Sequence, residues 1–172
     1  MATDTISEGP PGGRYRLRPA TLDDLPVLRR WLGEPHVRRW WGEPERELAM
    51  VAELMAADWA EVYIVETDGR PIAYLQAYDA AGAGPDWPEQ PAGTWGLDTF
   101  IGPPEAAGQG HGSAYLRAFG DWMLARPGAR RLSADPAPGN TASVRAFEKA
   151  GFVADREIAT PDGPALLMIR AK

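Results

Sequence analysis

The sequence predicts an α/β (α+β) protein in which helices pack on both faces of one mixed sheet. Runs with strand and helix periodicity follow one another in the order β-α-α-β-β-β-α-β-α-β-β. Asp68-Gly69 is a strong hairpin turn, and Pro161-Asp162-Gly163 separates the last two strands. A length of 172 residues without internal repeats fits one domain. We therefore expect a single domain over residues 14–172 and a disordered Gly- and Pro-rich tail over residues 1–13.

The helices are predicted from their caps and apolar spacing. Thr21-Leu22-Asp23-Asp24 is a capping box, and the stripe after it begins at Leu25. A second helix is expected over residues 45–58, a third after a glycine-rich turn, and a fourth from Asn140 to Gly151. The third helix should bury Tyr115, Phe119 and Trp122. The predicted strands are 14–18, 61–67, 71–78, 94–101, 131–134, 152–160 and 165–170.

Two segments lack periodicity and are predicted as loops. Residues 33–44 form a polar and aromatic loop that contains His36 and Trp40-Trp41. Residues 80–93, rich in Gly, Pro and acidic residues, are expected to form a mobile surface loop.

Composition excludes several classes of function. A net charge of −6 argues against nucleic acid and suits a cationic ligand, although the same charge could serve solubility alone. The chain has no cysteine and only two histidines, so no metal site is expected. We find no signal peptide and no apolar run long enough to cross a membrane, which predicts no membrane partner and a cytoplasmic location.

The turn Gly108-Gln109-Gly110-His111-Gly112, at a predicted helix start, suits a phosphate group. Its glycines permit close approach, and the first free N–H groups of the helix point at an anion. A merely flexible loop is the structural alternative. A dinucleotide site is disfavoured because position 113 is Ser, residues 102–107 separate strand from turn, and only 37 residues follow Asp135. No nucleoside triphosphate loop motif occurs.

The strand 94–101, the turn 108–113 and Phe147-Glu148-Lys149-Ala150-Gly151-Phe152 resemble the GCN5-related N-acetyltransferase (GNAT) superfamily. Within it, the chain is most similar to the aminoglycoside 6'-N-acetyltransferases. This resemblance implies a mostly antiparallel sheet, acetyl-CoA as the acetyl donor and a small cationic aminoglycoside as the acceptor. The segments similar to those enzymes are Trp40-Trp41-Gly42, residues 74–78, Gly96-Leu97-Asp98, residues 135–140 and residues 160–164.

The resemblance also implies which residues hold acetyl-CoA. Backbone amides of the glycine turn would bind the pyrophosphate, and backbone groups of the strand end would meet the pantetheine and thioester. We expect the His111 side chain to face solvent or a phosphate, and His36 to cap a helix C-terminus. The implied donor-binding residues are Phe100, Ile101, Ala107, Gly108, Gln109, Gly110, His111, Gly112, Ser113, Asn140, Phe147 and Lys149.

Asp98 is the first candidate for catalysis, because aspartate is disfavoured inside a strand. It would anchor the acceptor ammonium or take its proton; alternatively it pairs with an arginine or faces solvent. Asp135 could instead form a turn, Asp86 could be a solvated loop charge, and the tryptophans could clamp the helix–helix loop. The implied acceptor-binding residues are Trp40, Trp41, Gln76, Tyr78, Asp86, Asp98 and Asp135.

Two positions depart from the family pattern. Phe147 stands where many relatives have a tyrosine that protonates the departing thiolate, so we expect slower turnover. An unchanged kcat and pH profile in Phe147→Tyr would show that the missing acid has no consequence. Ala107 stands where Arg or Gln is frequent, which predicts modestly weaker donor binding.

Two other functions remain as alternatives. One is acylation of a hydroxylamine or lysine-type siderophore precursor, with the same donor. The other is a non-catalytic module that binds acetyl-CoA or sequesters an antibiotic.

Overall fold

A computed structural model describes residues 13–85 and 87–172, so Asp86 and nearly all of the predicted tail lie outside the described residues. The described strands form one seven-stranded sheet in the order β1-β2-β3-β4-β5-β7-β6. The helices are α1 Leu25–Gly33, α2 Pro35–Trp41, α3 Pro44–Ala56, α4 His111–Ala125 and α5 Thr141–Lys149. The strands are β1 Tyr15–Pro19, β2 Ala60–Thr67, β3 Arg70–Asp79, β4 Thr94–Ile101, β5 Arg131–Ala134, β6 Val153–Thr160 and β7 Gly163–Ala171.

The sheet is mixed and mostly antiparallel, as predicted. Only β4 and β5 pair in parallel, and the other neighbouring strands pair antiparallel. The predicted β2–β3 hairpin is confirmed, because Asp68 (φ 51°) and Gly69 (φ 72°) both adopt the left-handed conformation of a two-residue turn. Every predicted strand is present within two residues of its expected bounds.

Helices cover both faces of the sheet, because side chains alternate between its faces along each strand. On one face α1, α2 and α3 pack over Ile64, Tyr74 and Phe100. On the other face α4 and α5 pack over Leu75, Leu97 and other core residues. The predicted buried side of α4 is confirmed for Tyr115 and Phe119, which are almost fully buried, whereas Trp122 is half-buried.

The prediction of a loop over residues 33–44 was wrong. Pro35 begins the short helix α2 at a position where its missing N–H costs nothing, and Val37 is buried. Gly42, at φ 97°, ends α2 before α3 begins. The loop over residues 80–93 opens with one 3-10 turn, and its Gln90 is buried and accepts a hydrogen bond from Arg131.

One irregularity of the sheet positions the site. Strands β4 and β5 pair only from Thr94 to Gly96, opposite residues Arg131 to Ser133. Beyond Gly96, β4 continues to Ile101 without a partner on that side among the described strands. The sheet is therefore open between β4 and β5.

Candidate active site

A cavity of about 940 Å³ lies at this opening in the sheet. It reaches both faces of β4, because Asp98 lines it from one face and Thr99, which meets Tyr115 of α4, lines it from the other. Its wall also includes parts of α2, α3, the 80–90 loop, α5 and the β6–β7 turn. A substrate in this cavity would thus contact both core layers.

Asp98 is held by its antiparallel neighbour β3. It lies opposite Gln76 in the register, and Gln76 Nε2 donates to Asp98 Oδ2 over 2.8 Å. The Tyr78 hydroxyl also donates towards Asp98. Opposite Tyr78 lies Gly96, where an added Cβ would come within 2.4 Å of the tyrosine ring. Glycine at position 96 therefore lets Tyr78 lie across β4 beside Asp98.

Burial and, to a smaller extent, the nearby negative charge of Asp135 together raise the pKa of Asp98 to about 7. The hydrogen bonds from Gln76 and Tyr78 act in the opposite direction. Among the described residues, Asp98 has no arginine or lysine partner, which removes the predicted alternative of an Asp–Arg pair. This carboxylate can therefore gain or lose a proton near neutral pH.

Asp135 follows the last residue of β5 and lines the same cavity. Burial raises its pKa, and the charge of Asp162 adds to the effect. The structure thus brings Asp98, Asp135, Gln76 and Tyr78 to one wall, as a shared acceptor site requires.

Three further carboxylates line the cavity, and the sequence did not single them out as site residues. Glu47 and Glu53 lie on α3, and Asp162 lies in the β6–β7 turn, where it forms an exposed ion pair with Arg46 (3.7 Å). Burial raises the pKa of Glu47. Glu47 precedes the buried Leu48 of α3, and its sequence context is that of any helix surface. Only the approach of α3 to the opening distinguishes it.

The two adjacent tryptophans have different surroundings, although both line the cavity. Trp41 packs edge-on against Phe100 (ring centroids 4.9 Å apart) and Tyr74 (5.8 Å), so it closes the core beneath α2. Trp40 is more exposed, and the Arg39 guanidinium lies 4.8 Å from its ring centroid. Trp41 therefore packs into the core beneath α2, and Trp40 exposes more of its surface; the ligand-binding roles of both tryptophans stay predictions.

The glycine turn has the conformation that an anion cradle needs. Gly108 (φ 73°) and Gly110 (φ 81°) are left-handed, and an added Cβ at either would meet no atom within 4 Å. Gly110 is the N-cap of the 15-residue helix α4, whose first N–H groups lack partners within the helix. Ala107, Gln109, Gly112 and Ser113 flank this start as predicted. The turn therefore fits a pyrophosphate through its backbone, and the charge of the helix dipole favours that anion.

The expectations for both histidine side chains were wrong. His111 is buried, and its Nδ1 lies 2.8 Å from the Tyr15 hydroxyl of β1, because the first side chain of α4 points inward onto the sheet. His36 is in the first turn of α2, not at a helix C-terminus. Its Nε2 donates to the Ile101 carbonyl over 2.9 Å, so that carbonyl is already engaged.

The other predicted donor-binding residues lie in three places. Asn140 lines the cavity and caps α5, with its Oδ1 accepting from the Ser143 N–H (3.3 Å). Phe147 is buried against Phe152 and also lines the cavity. Lys149 is exposed at the opposite end of α5 and does not line the cavity. Phe100 stacks on Tyr74, so only its backbone is available to a ligand. Their roles stay predictions.

Comparison with known proteins agrees with this architecture. A profile of the Acetyltransferase (GNAT) domain family matches residues 20–160. The aminoglycoside N(6')-acetyltransferase type 1 of Klebsiella pneumoniae is 34% identical over 165 residues, which cover 91% of this chain and 82% of that protein. The chain belongs to the GNAT acetyltransferase family.

Two solved structures of the aminoglycoside acetyltransferase AAC(6')-Ib are similar over nearly the whole chain. The complex with parmomycin and acetyl-CoA has a TM-score of 0.85 and 31% identity, covering 93% of this chain and 94% of that one. The complex with coenzyme A and kanamycin has a TM-score of 0.84 and 31% identity, covering 92% and 95%. The predicted fold class is therefore confirmed.

Two absences can be stated for residues 13–85 and 87–172. No helix there is long and apolar enough to cross a membrane. No group of three or more His, Asp or Glu side chains there is arranged to hold a metal ion.

Proposed function

We propose that this acetyltransferase moves the acetyl group of acetyl-CoA to the 6'-amino group of aminoglycoside antibiotics. The main support for this proposal is the environment of Asp98. Its carboxylate has no cationic partner among the described residues, and it lies on the cavity wall beside the open edge of β4. A buried carboxylate that lacks a cation is stabilised by a ligand that brings one.

On the donor side, the backbone of the glycine turn would hold the pyrophosphate of acetyl-CoA. The unpaired edge of β4 would bind the pantetheine arm through backbone groups, since a strand edge offers N–H and C=O groups in a row. These contacts would place the thioester at the opening, close to Asp98. Acetyl-CoA supplies the activated acetyl group.

On the acceptor side, the carboxylates of the cavity would attract a molecule with several ammonium groups. Asp98 would orient the reacting ammonium and accept its proton, because its pKa of about 7 suits a base at neutral pH. The neutral amine then attacks the thioester carbonyl, an N–C bond forms, and the C–S bond breaks to release coenzyme A. Positioning by Asp98, Asp135 and Gln76 would supply much of the rate.

The relatives support this choice of acceptor. The similar enzyme of Klebsiella pneumoniae is named for 6'-acetylation of aminoglycosides, and the similar structures hold parmomycin with acetyl-CoA or kanamycin with coenzyme A. We also propose that the domain spans residues 14–172. A cytoplasmic location stays a prediction.

The test is release of coenzyme A thiol with a panel of aminoglycosides, followed by product identification by mass spectrometry. We expect turnover with kanamycin-like acceptors that carry a 6'-amino group, and none with matched analogues that carry a 6'-hydroxyl group.

Turnover only with hydroxylamines or lysine-type amines would replace the proposed acceptor by a siderophore precursor. Tight calorimetric binding of aminoglycoside without turnover would instead indicate a binding module.

A further inference from the structure

Tyr74 is a buried hydroxyl of β3 that the mechanism above does not use. Its ring stacks on Phe100 (centroids 5.2 Å apart, planes at 18°), and Trp41 packs edge-on against the same ring (centroids 5.8 Å apart). Tyr74 is fully buried and is not part of the cavity wall. A substrate therefore cannot reach it, and it can act only through a neighbour.

That neighbour is Gln76. The Tyr74 hydroxyl donates to Gln76 Oε1 over 2.6 Å, and Gln76 Nε2 donates to Asp98 Oδ2 over 2.8 Å. The three side chains thus form one directed chain of hydrogen bonds that ends on the carboxylate. Both bonds are short, and the aromatic contacts hold the Tyr74 ring in place.

The direction of this chain depends on the tyrosine. The side-chain amide of Gln76 can flip by about 180°, so that its oxygen and not its NH₂ group faces Asp98. In that orientation Gln76 Nε2 would face the Tyr74 hydroxyl, whose own proton would lose its acceptor in a buried site. An unsatisfied buried donor is costly, so Tyr74 disfavours the turned amide.

We propose that Tyr74 is a positioning residue that holds Gln76 with its NH₂ group towards Asp98 and so keeps this buried carboxyl available as a base. The inference rests on the proposed function, in which Asp98 accepts the proton of the acceptor amine. A turned amide would present an oxygen to Asp98 and favour its protonated form.

Other groups also influence the pKa of Asp98, and the effect of Tyr74 on that pKa must be distinguished from theirs. From β3 the Tyr78 hydroxyl donates towards it, and Asp135 and Asp162 raise its pKa through their negative charge. The charge of Glu47, on α3, acts on Tyr74 itself. These groups are unchanged in a Tyr74→Phe variant. A change in the pKa of Asp98 in that variant therefore reports a change in the orientation of the Gln76 side-chain amide.

The experiment compares the wild-type protein with Tyr74→Phe, which keeps the ring and removes only the hydroxyl. We expect the acid limb of kcat/KM to move to higher pH by about half to one pH unit, because the hydrogen bond from Gln76 to the charged carboxylate is weakened and loses only part of its full value. The rate near pH 6 should then fall about three- to tenfold, whereas the plateau near pH 9 should change less than about twofold. A uniform loss at all pH values would overturn the proposal.

Tyr63→Phe is the matched control, because Tyr63 is equally buried and its hydroxyl donates to Glu61 on the opposite face of the sheet from Tyr74, outside the cavity lining. We expect its acid limb to match that of the wild type. An equal shift in Tyr63→Phe would overturn the specific role of Tyr74.

A carboxyl NMR titration of the protein without substrates separates this inference from the proposed function. The signal of Asp98, assigned by its loss in Asp98→Asn, should titrate at higher pH in Tyr74→Phe than in the wild type even when no aminoglycoside is acetylated. An unchanged midpoint would overturn the inference, whereas failure of the aminoglycoside panel would overturn only the proposed function.

If Tyr74→Phe does not fold, the wild-type protein still provides a test. The Gln76 side-chain NH₂ signals should shift with the midpoint of Asp98. Signals that stay constant through that titration would overturn the proposal.

Discussion

In two clusters of this protein an uncharged side chain donates a hydrogen bond to the carboxylate of a strand residue, yet only one of these carboxylates has a cationic partner among the described residues. In the arginine cluster of Glu61, Tyr63 and Arg126, the guanidinium binds both carboxylate oxygens of Glu61, at 2.8 and 3.0 Å. Trp95 and Trp122 lie about the same guanidinium at 5.2 and 5.1 Å. Every charge in the arginine cluster has a partner.

In the acidic wall of Asp98, Asp135 and Gln76, the carboxylates have only uncharged hydrogen-bond donors. Burial and mutual repulsion raise the pKa of both aspartates. The charges of the first cluster are balanced within the fold, whereas under the proposed function the second cluster would be balanced by the cationic acceptor.

The largest effect is expected from Asp98→Asn, which removes the charge of the acidic wall and keeps its shape. We expect kcat/KM for a 6'-amino aminoglycoside to fall about a hundredfold or more, because both an ammonium anchor and a proton acceptor are lost. Steady-state thiol release measures this change. An effect smaller than about threefold would contradict the assigned role of Asp98.

The same variant should be more stable than the wild type at high pH. Because the folded-state pKa of Asp98 is raised to about 7, its ionisation disfavours the fold, and this cost grows as pH rises from the ordinary aspartate range through about 7. Denaturant unfolding should show a gain of up to about 4 kcal/mol for Asp98→Asn near pH 8 and little change near pH 4. A loss of stability at both pH values would refute this reading.

The second-largest effect is expected from removing the cation of the arginine cluster. We expect Arg126→Met to lower the free energy of unfolding by about 2 kcal/mol, because Glu61 is left without its cation. Activity should remain, since the arginine cluster does not line the cavity. In the Arg126→Met background, Glu61→Gln should recover part of the loss; a further loss would show that burial of the charge is not the cause.

The smallest effect is expected at the rim of the cavity. Asp162 is exposed and its ion pair with Arg46 is long, so Asp162→Asn should leave stability within about 0.5 kcal/mol. KM for a polycationic acceptor should rise about two- to fivefold with kcat retained, because a rim charge attracts the ligand weakly. An exposed acid away from the cavity, Asp121→Asn, is the control and should leave KM unchanged.

Most elements of the fold were predictable, because they depend on local signals. The Asp68-Gly69 turn, the capping box at Thr21 and the cap of Asn140 are all present where the sequence placed them. Helix α2 was missed, since seven residues that begin with proline and contain two tryptophans show no clear apolar period. The bounds of the strands differ only by one or two residues.

The acceptor site was predicted in part. Asp98 stood out because an aspartate inside a strand needs a partner, and Asp135 and Gln76 followed from the family resemblance. Glu47 gave no such signal, because a helix-surface glutamate is ordinary in isolation. Tyr74 lies in a segment similar to the family, but a strand tyrosine is also ordinary and was not singled out there. Whether Trp40 or Trp41 faces a ligand also depends on the packing of α2.

The sequence by itself determined the local elements and the donor cradle, because a glycine turn before a helix is made of residues adjacent along the chain and binds through their backbone. Only the tertiary structure decided which carboxylates share one cavity and which charges stay unpaired. The physical reason is that pKa and ligand preference depend on burial and on neighbours brought together across the opening between β4 and β5. Asp98 and Glu61 are both acidic strand residues in the sequence, and their tertiary neighbours, Asp135 for the first and Arg126 for the second, distinguish their chemistry.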